Sequence, residues 1–150
     1  MKIKINLQYF ISVIFALALI GCKKDSAPQP TPNPNLTPEY YKVLIGCEGN
    51  FGSANGSISA YKPSTKEIKN SYYQSVNGFV LGDIVQAIEE IDGKNYIVVN
   101  NSGKIEVVDT AKFENTGTIT GLMSPREIKK VSSNTAYISD LFSNSIQVVD

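Results

Sequence analysis

Histidine is absent from the 150 residues, and cysteine occurs only at positions 22 and 47. Without an imidazole, a Ser-His-Asp triad, a Cys-His pair and a histidine metal site are all excluded within this segment. Two cysteines cannot form the disulfide framework that staples small exported domains. Cys47 lies in the apolar stretch Val43-Leu44-Ile45-Gly46-Cys47 and reads as a buried, unreactive thiol. Excess charge is missing as well, with 14 Lys and Arg against 14 Asp and Glu. No basic stripe is present to neutralise phosphates, so a nucleic-acid partner is not expected. The carboxylates show no EF-hand or comparable spacing. A membrane-spanning helix is also missing: it needs about 20 predominantly apolar residues, whereas the run from Leu7 to Ile20 is shorter and contains Gln8, Tyr9 and Ser12. These absences predict a non-catalytic chain with no cofactor and no metal.

What is present begins with Lys2 and Lys4, the apolar run, and then Leu19-Ile20-Gly21-Cys22. A positive start, a short apolar segment and a small residue before the cut make residues 1–21 a signal peptide. Leu-Ile-Gly-Cys resembles the lipobox of bacterial lipoproteins, which implies lipid on Cys22 and anchoring by acyl chains. The alternative is a secreted protein with a chance cysteine at the cleavage site. Cleavage removes two lysines and leaves 12 basic residues against 14 acidic. From Lys23 to Pro38 the chain turns polar, with prolines at 28, 30, 32, 34 and 38. Such a stretch buries too little apolar surface to fold and stays extended, so 22–39 reads as a lipidated tether. Asp25 is weakly like the surface-export signals of Bacteroidetes lipoproteins.

From Tyr40 onward, short runs rich in Val, Ile and Tyr are punctuated by Gly, Asn, Asp, Ser and Pro, the pattern of an all-β domain. The segment also repeats. Tyr96-Ile97-Val98 with Ile105-Glu106-Val107-Val108-Asp109 recurs as Tyr137-Ile138 with Ile146-Gln147-Val148-Val149-Asp150, 41 residues on in both parts. A period near 40 with several short strands per unit marks a β-propeller blade, an antiparallel four-stranded sheet that must stack on its neighbours. Tyr41 to Ile45 followed by Ile58 to Tyr61 repeats the unit with an 8-residue insertion, if Tyr41 is matched to Tyr96. Strands are expected near 41–47, 57–61 and 67–74, then 84–91, 95–100, 104–109 and 114–120, then 127–132, 135–140 and 145–150. That makes blades near 40–80, 84–121 and 127–150, roughly two and a half, so a longer gene product is expected, since propellers close with about 4 to 8. A small β-sandwich is the alternative, against which the repeat speaks.

The unit from Tyr96 to Asp109, with Gly117-Thr-Ile-Thr-Gly121 and Ser124-Pro-Arg126, resembles the YncE-like seven-bladed propellers. Glu48-Gly-Asn-Phe-Gly-Ser53, Leu81-Gly-Asp83 and Asn100-Asn-Ser-Gly-Lys104 are similar, more narrowly, to Bacteroidetes surface lipoproteins of that family. The resemblance covers residues 40 to 150. It implies an outer-membrane, lipid-anchored, surface-exposed protein that captures a corrinoid (vitamin B12) or similar nutrient for a TonB-dependent transporter. A propeller lactonase or hydrolase with catalytic groups in other blades, and an adhesive surface protein, are the competing classes.

Connectivity dictates which loops share an end. In an up-and-down blade, the connections from second to third strand and from one blade to the next emerge together. That end gathers Asn50, Phe51 and Asn55, then Asp83 with Phe79, Val80 and Leu81, then Asn100 and Asn101, then Met123 and Arg126, then Asp140, Leu141, Phe142 and Asn144. Apolar rings among amides are the mixture of a concave small-molecule site, suited to a corrinoid or a glycan. The other turns are plain and polar. Asp109 and Asp150 share a repeat position after a strand, where aspartate caps a turn, and Glu89, Glu90 and Asp92 read as a solvated turn.

Overall fold

The computed structural model describes residues 43–150. The segments expected as a signal peptide (1–21) and as a lipidated tether (22–39), Cys22 included, lie outside the described residues. The domain is all-β. β1 (Val43–Cys47), β2 (Ser57–Lys62) and β3 (Glu67–Lys69) make a first antiparallel sheet. β4 (Val85–Ile91), β5 (Lys94–Val99), β6 (Lys104–Asp109) and β7 (Asn115–Ile119) make a second, and β8 (Pro125–Lys130), β9 (Ala136–Asp140) and β10 (Gln147–Val149) a third. Each is a meander in which sequence neighbours pair.

The sheets stack in chain order. Ile58 and Ala60 of the first pack with Val85, Ile97, Val99 and Val108 of the second. From its other face the second sends Ile91, Val98 and Ile105 against Ile128 and Ile138 of the third. Side chains alternate along a strand, so a strand covered on both faces needs consecutive apolar residues. Ile97, Val98 and Val99 supply them, all fully buried.

The second and third sheets repeat in detail. Ile88 opposite Ile97 matches Ile128 opposite Ile138, and the register shifts at the same place in both, between Val85 and Ala87 and between Pro125 and Glu127. The unpaired residues Gln86 and Arg126 thus fall at equivalent places in the two first strands. Register also revises the insertion in the first unit. Gly46 faces Ile58 where Val98 faces Ile105, separations of 12 and 7 residues, so the extra length is 5 rather than 8.

Two further sequence expectations are corrected. The strand expected over 67–74 stops at Lys69, and the chain turns through Ser71, at a left-handed φ of 51°, into α1 (Tyr72–Asn77). Tyr72 and Tyr73 favour strands by type, yet packing decides here. Tyr72 stacks on Phe113 at 4.8 Å and Tyr73 meets Phe113 edge-on at 6.4 Å. Gly78 closes the helix in the left-handed region, its N–H donating to Gln74 O. Cys47 is only half-buried, with its Sγ 3.6 Å from Ser59 Oγ.

Beneath α1 lies a buried polar lock. Glu106, 2% exposed, accepts from Lys104 Nζ at 2.6 Å, Asn115 Nδ2 at 2.6 Å and Thr118 Oγ1 at 2.8 Å. Asn115 Nδ2 also donates to Tyr73 Oη at 3.1 Å, and its backbone N–H donates to Asn77 Oδ1 at 2.7 Å. Burial first, and then the Glu106 carboxylate, hold the Tyr73 phenol far above the ordinary tyrosine range. Asp109 caps the β6–β7 turn as expected, accepting from the N–H groups of Ala111, Lys112 and Glu114. Glu89 and Asp92 form ion pairs with Lys129 at 2.7 Å and Lys130 at 2.6 Å of the third sheet.

Candidate functional site

The connections 48–56, 78–84, 100–103, 120–124 and 141–146 meet along one end and are joined by hydrogen bonds. Gly56 pairs with Gly82, its N–H donating to Gly82 O at 2.9 Å. A Cβ on Gly56 would lie 3.1 Å from that carbonyl oxygen, so the approach favours glycine. Asp83 is the first clamp. Its Oδ2 accepts from Gly52 N and from Asn101 Nδ2, each at 2.6 Å, while its own N–H donates to Ser102 Oγ at 2.9 Å.

Asn100 carries the linkage to the next sheet. Its buried amide donates to Ser124 Oγ at 2.9 Å and to Pro125 O at 2.8 Å. Asp140 is the second clamp, accepting from the N–H groups of Met123 at 2.7 Å, Ser124 at 2.9 Å and Phe142 at 3.2 Å. Desolvation pushes the Asp140 carboxyl up, but these three donors outweigh it and hold it below the ordinary aspartate range. The backbone repeats too, since Asn100 N bonds Ile84 O as Leu141 N bonds Ser124 O, at 2.8 and 2.9 Å.

This framework presents apolar side chains to solvent. Phe51 and Phe142 are 78% and 68% exposed, and Phe79, Val80, Met123 and Leu141 are exposed beside them in the same set of loops. At the opposite end, Val131 is the one exposed large apolar residue in the turns 63–66, 92–93, 110–114 and 131–135, among the described residues. Exposed rings on free loops would be unremarkable. Here the backbone beside each ring is bonded to a carboxylate, through Gly52 next to Phe51 and through Phe142 itself, so exposure is built in rather than incidental. No family model and no curated protein matches this sequence.

The ten candidates thus take different places. Asn50 and Asn55 bond each other, Asn50 N donating to Asn55 Oδ1 at 2.7 Å, which shapes the 48–56 loop. Asp83, Asn101 and the Phe51 loop come together, as do Asp140 and Phe142, with Asn100 between the two groups. Arg126 is exposed at the β8 bulge and Asn144 is exposed in its loop. One feature of the site was not visible in the sequence: Asp83 is 6% exposed and its Oδ1 is buried without a donor among the described residues. Leaving a buried acceptor unpaired costs about 1–3 kcal/mol. A cleft of about 260 Å³ was also missed, lined by Asn55, Ser57, Tyr73, Gln74, Val80 and Leu81 among others. It depends on α1, which the sequence reading had as strand. Among the described residues, no three His, Cys, Asp or Glu gather.

Proposed function

We propose that the three sheets are blades of a β-propeller carried on a lipid-anchored, surface-exposed lipoprotein. In this reading the loop end captures a corrinoid or similar nutrient and passes it to a TonB-dependent outer-membrane transporter, and the chain is not an enzyme. Support for blades comes from the 41-residue repeat, the matching registers and the stacking of sheets in chain order. The lipobox at Cys22 supports the anchor, and the resemblance to Bacteroidetes surface lipoproteins supports the corrinoid and the transporter.

The observation that carries the binding role is the contrast between the two ends: apolar side chains are exposed on carboxylate-pinned loops at one, and polar turns fill the other. Rigid aromatic anchors bind with little loss of conformational entropy, and a corrinoid offers an apolar ring face bordered by amides that the loop asparagines suit. Calorimetric and spectral titration of the purified protein with cyanocobalamin tests this. Saturable binding is expected at micromolar ligand, weakened by about 2 kcal/mol or more in Phe51→Ser and Phe142→Ser with no change in unfolding. Absence of heat and of any spectral change would remove the corrinoid from the proposal.

A further inference from the structure

The cleft beside α1 is walled by three segments: 54–58, which leads from the first loop into β2, 71–74 at the start of α1, and 80–81 in the loop before β4. Ile58, Tyr73 and Leu81 line its base and are almost fully buried, in the same core as Ile97 and Val108 of the second sheet. The cleft thus lies on the side of the first sheet that the second sheet already faces.

Each wall is held by bonds made outside the cleft. The Gly56 N–H, donating to Gly82 O at 2.9 Å, ties the first wall to the third. α1 is fixed by the stacking of Tyr72 on Phe113 and by the Tyr73 hydroxyl, which accepts from Asn115 Nδ2 at 3.1 Å. A space of about 260 Å³ is thereby preformed, and a site that need not rearrange loses little affinity to ordering.

Its polar groups are uncommitted. Among the described residues, the side chains of Ser57, Ser71 and Gln74 make no hydrogen bond to the protein, and Asn55 engages only its Oδ1, on Asn50 N at 2.7 Å. Two amides and two hydroxyls therefore line one cleft with donor and acceptor capacity to spare. No Lys, Arg, Asp or Glu lines it. An ion would find no counter-charge there, and a purely apolar guest would strip the amides of water without replacing it. A neutral guest bearing several hydroxyls suits these walls, because a hydroxyl both donates and accepts and can meet either end of an amide. The volume lies just below the roughly 300–1,000 Å³ of drug-sized sites, which limits the guest to about one sugar ring. Phe79, exposed and edge-on to Tyr73 at 5.5 Å, offers an apolar surface beside the lining for the C–H face of such a ring.

We propose that this cleft binds one neutral pyranose, free or at the end of a glycan, through Asn55, Ser57, Ser71 and Gln74. Neither the corrinoid nor the lipid anchor enters this chemistry, so the site stands or falls apart from them.

The test is NMR titration of the full-length protein in a detergent without a sugar headgroup, following the side-chain amides of Asn55 and Gln74. D-glucose, D-galactose and N-acetyl-D-glucosamine are the free probes, lactose the chain-end probe and D-glucuronate the charged control. Saturable shifts of both amides are expected with at least one neutral sugar at millimolar concentration, and weaker binding of D-glucuronate. Either order of affinity between lactose and the free sugars supports the site, tighter lactose marking a glycan end and tighter monosaccharide a free sugar. Gln74→Leu, which keeps the size and removes the amide, and Ser57→Ala each raise the dissociation constant roughly threefold to tenfold, the loss of a single hydrogen bond, with the urea midpoint unmoved. Absence of saturable shifts with every neutral sugar overturns the site. So do shifts confined to Phe51 and Phe142, glucuronate binding more tightly than the neutral sugars, or unchanged affinity in both variants.

Discussion

Replacing Glu106 is expected to cost more than replacing any partner it holds. Its side chain is 3% exposed, against 24% for Lys104, and it accepts from Lys104, Asn115 and Thr118 at 2.6, 2.6 and 2.8 Å. Glu106→Ala leaves one Asn115 amide N–H and the partly buried Lys104 ammonium without their acceptor and adds a void, a loss of about 3–4 kcal/mol. Glu106→Gln keeps the shape and one acceptor but turns an amide donor toward Lys104, for about 2 kcal/mol. Lys104→Ala costs about 2 kcal/mol, because the buried carboxylate loses its cation but keeps two neutral donors. Domains of this kind hold roughly 5–15 kcal/mol in all, so the alanine variant has a much earlier midpoint in urea unfolding followed by circular dichroism and tyrosine fluorescence. In Glu106→Ala the Tyr73 phenol also moves down toward its ordinary range and remains raised, since burial is the larger cause. Equal losses for Glu106→Ala and Lys104→Ala would refute the idea that the carboxylate is the centre of the lock.

Two further outcomes concern the loop clamps. Asp140 has its folded-state pKa lowered relative to the ordinary 3.8, so the stability it contributes is present above that value and is lost as pH falls through the folded one. Hydrogen exchange at the amides of Met123 and Phe142 is expected to speed up in that acid window, and Asp140→Asn removes the pH dependence while costing under about 1 kcal/mol at neutral pH, the group being largely solvated. Asn100→Ala leaves Ser124 Oγ and Pro125 O without their donor and is expected to cost about 1–3 kcal/mol in urea unfolding. Asn100→Asp costs more than alanine, since a buried carboxylate then faces the Pro125 carbonyl oxygen with only the Ser124 hydroxyl able to turn and donate to it, and the reverse order would mean that the amide is not the bridge.

Much of the strand pattern was legible because strand periodicity and turn residues are local. Tyr96-Ile97-Val98 and Tyr137-Ile138 pair in the same register at either end of the 41-residue spacing. That the loops carrying Phe51, Asp83, Asp140 and Phe142 share one end followed from connectivity alone. The helix at Tyr72–Asn77 did not follow, because its aromatics are selected by Phe113, some 40 residues on in sequence and at 4.8 Å in space. Side-chain roles were equally hidden. Asn100 and Asn101 are chemically alike and adjacent, yet one is buried as a bridge to Pro125 and the other reaches Asp83, a choice made by which neighbouring loop each one faces.

By itself, then, the sequence determined an all-β chain, its repeat, its strand order and which loops share an end, since these rest on short-range alternation and on the direction of successive strands. Only the tertiary structure decided that Glu106 is locked beneath α1 and that Asp83 and Asp140 pin the loops carrying Phe51 and Phe142. The physical reason is common to all of them. Burial and hydrogen-bond partnership depend on what lies across a gap in space, and in a stack of sheets that neighbour sits about one repeat away along the chain.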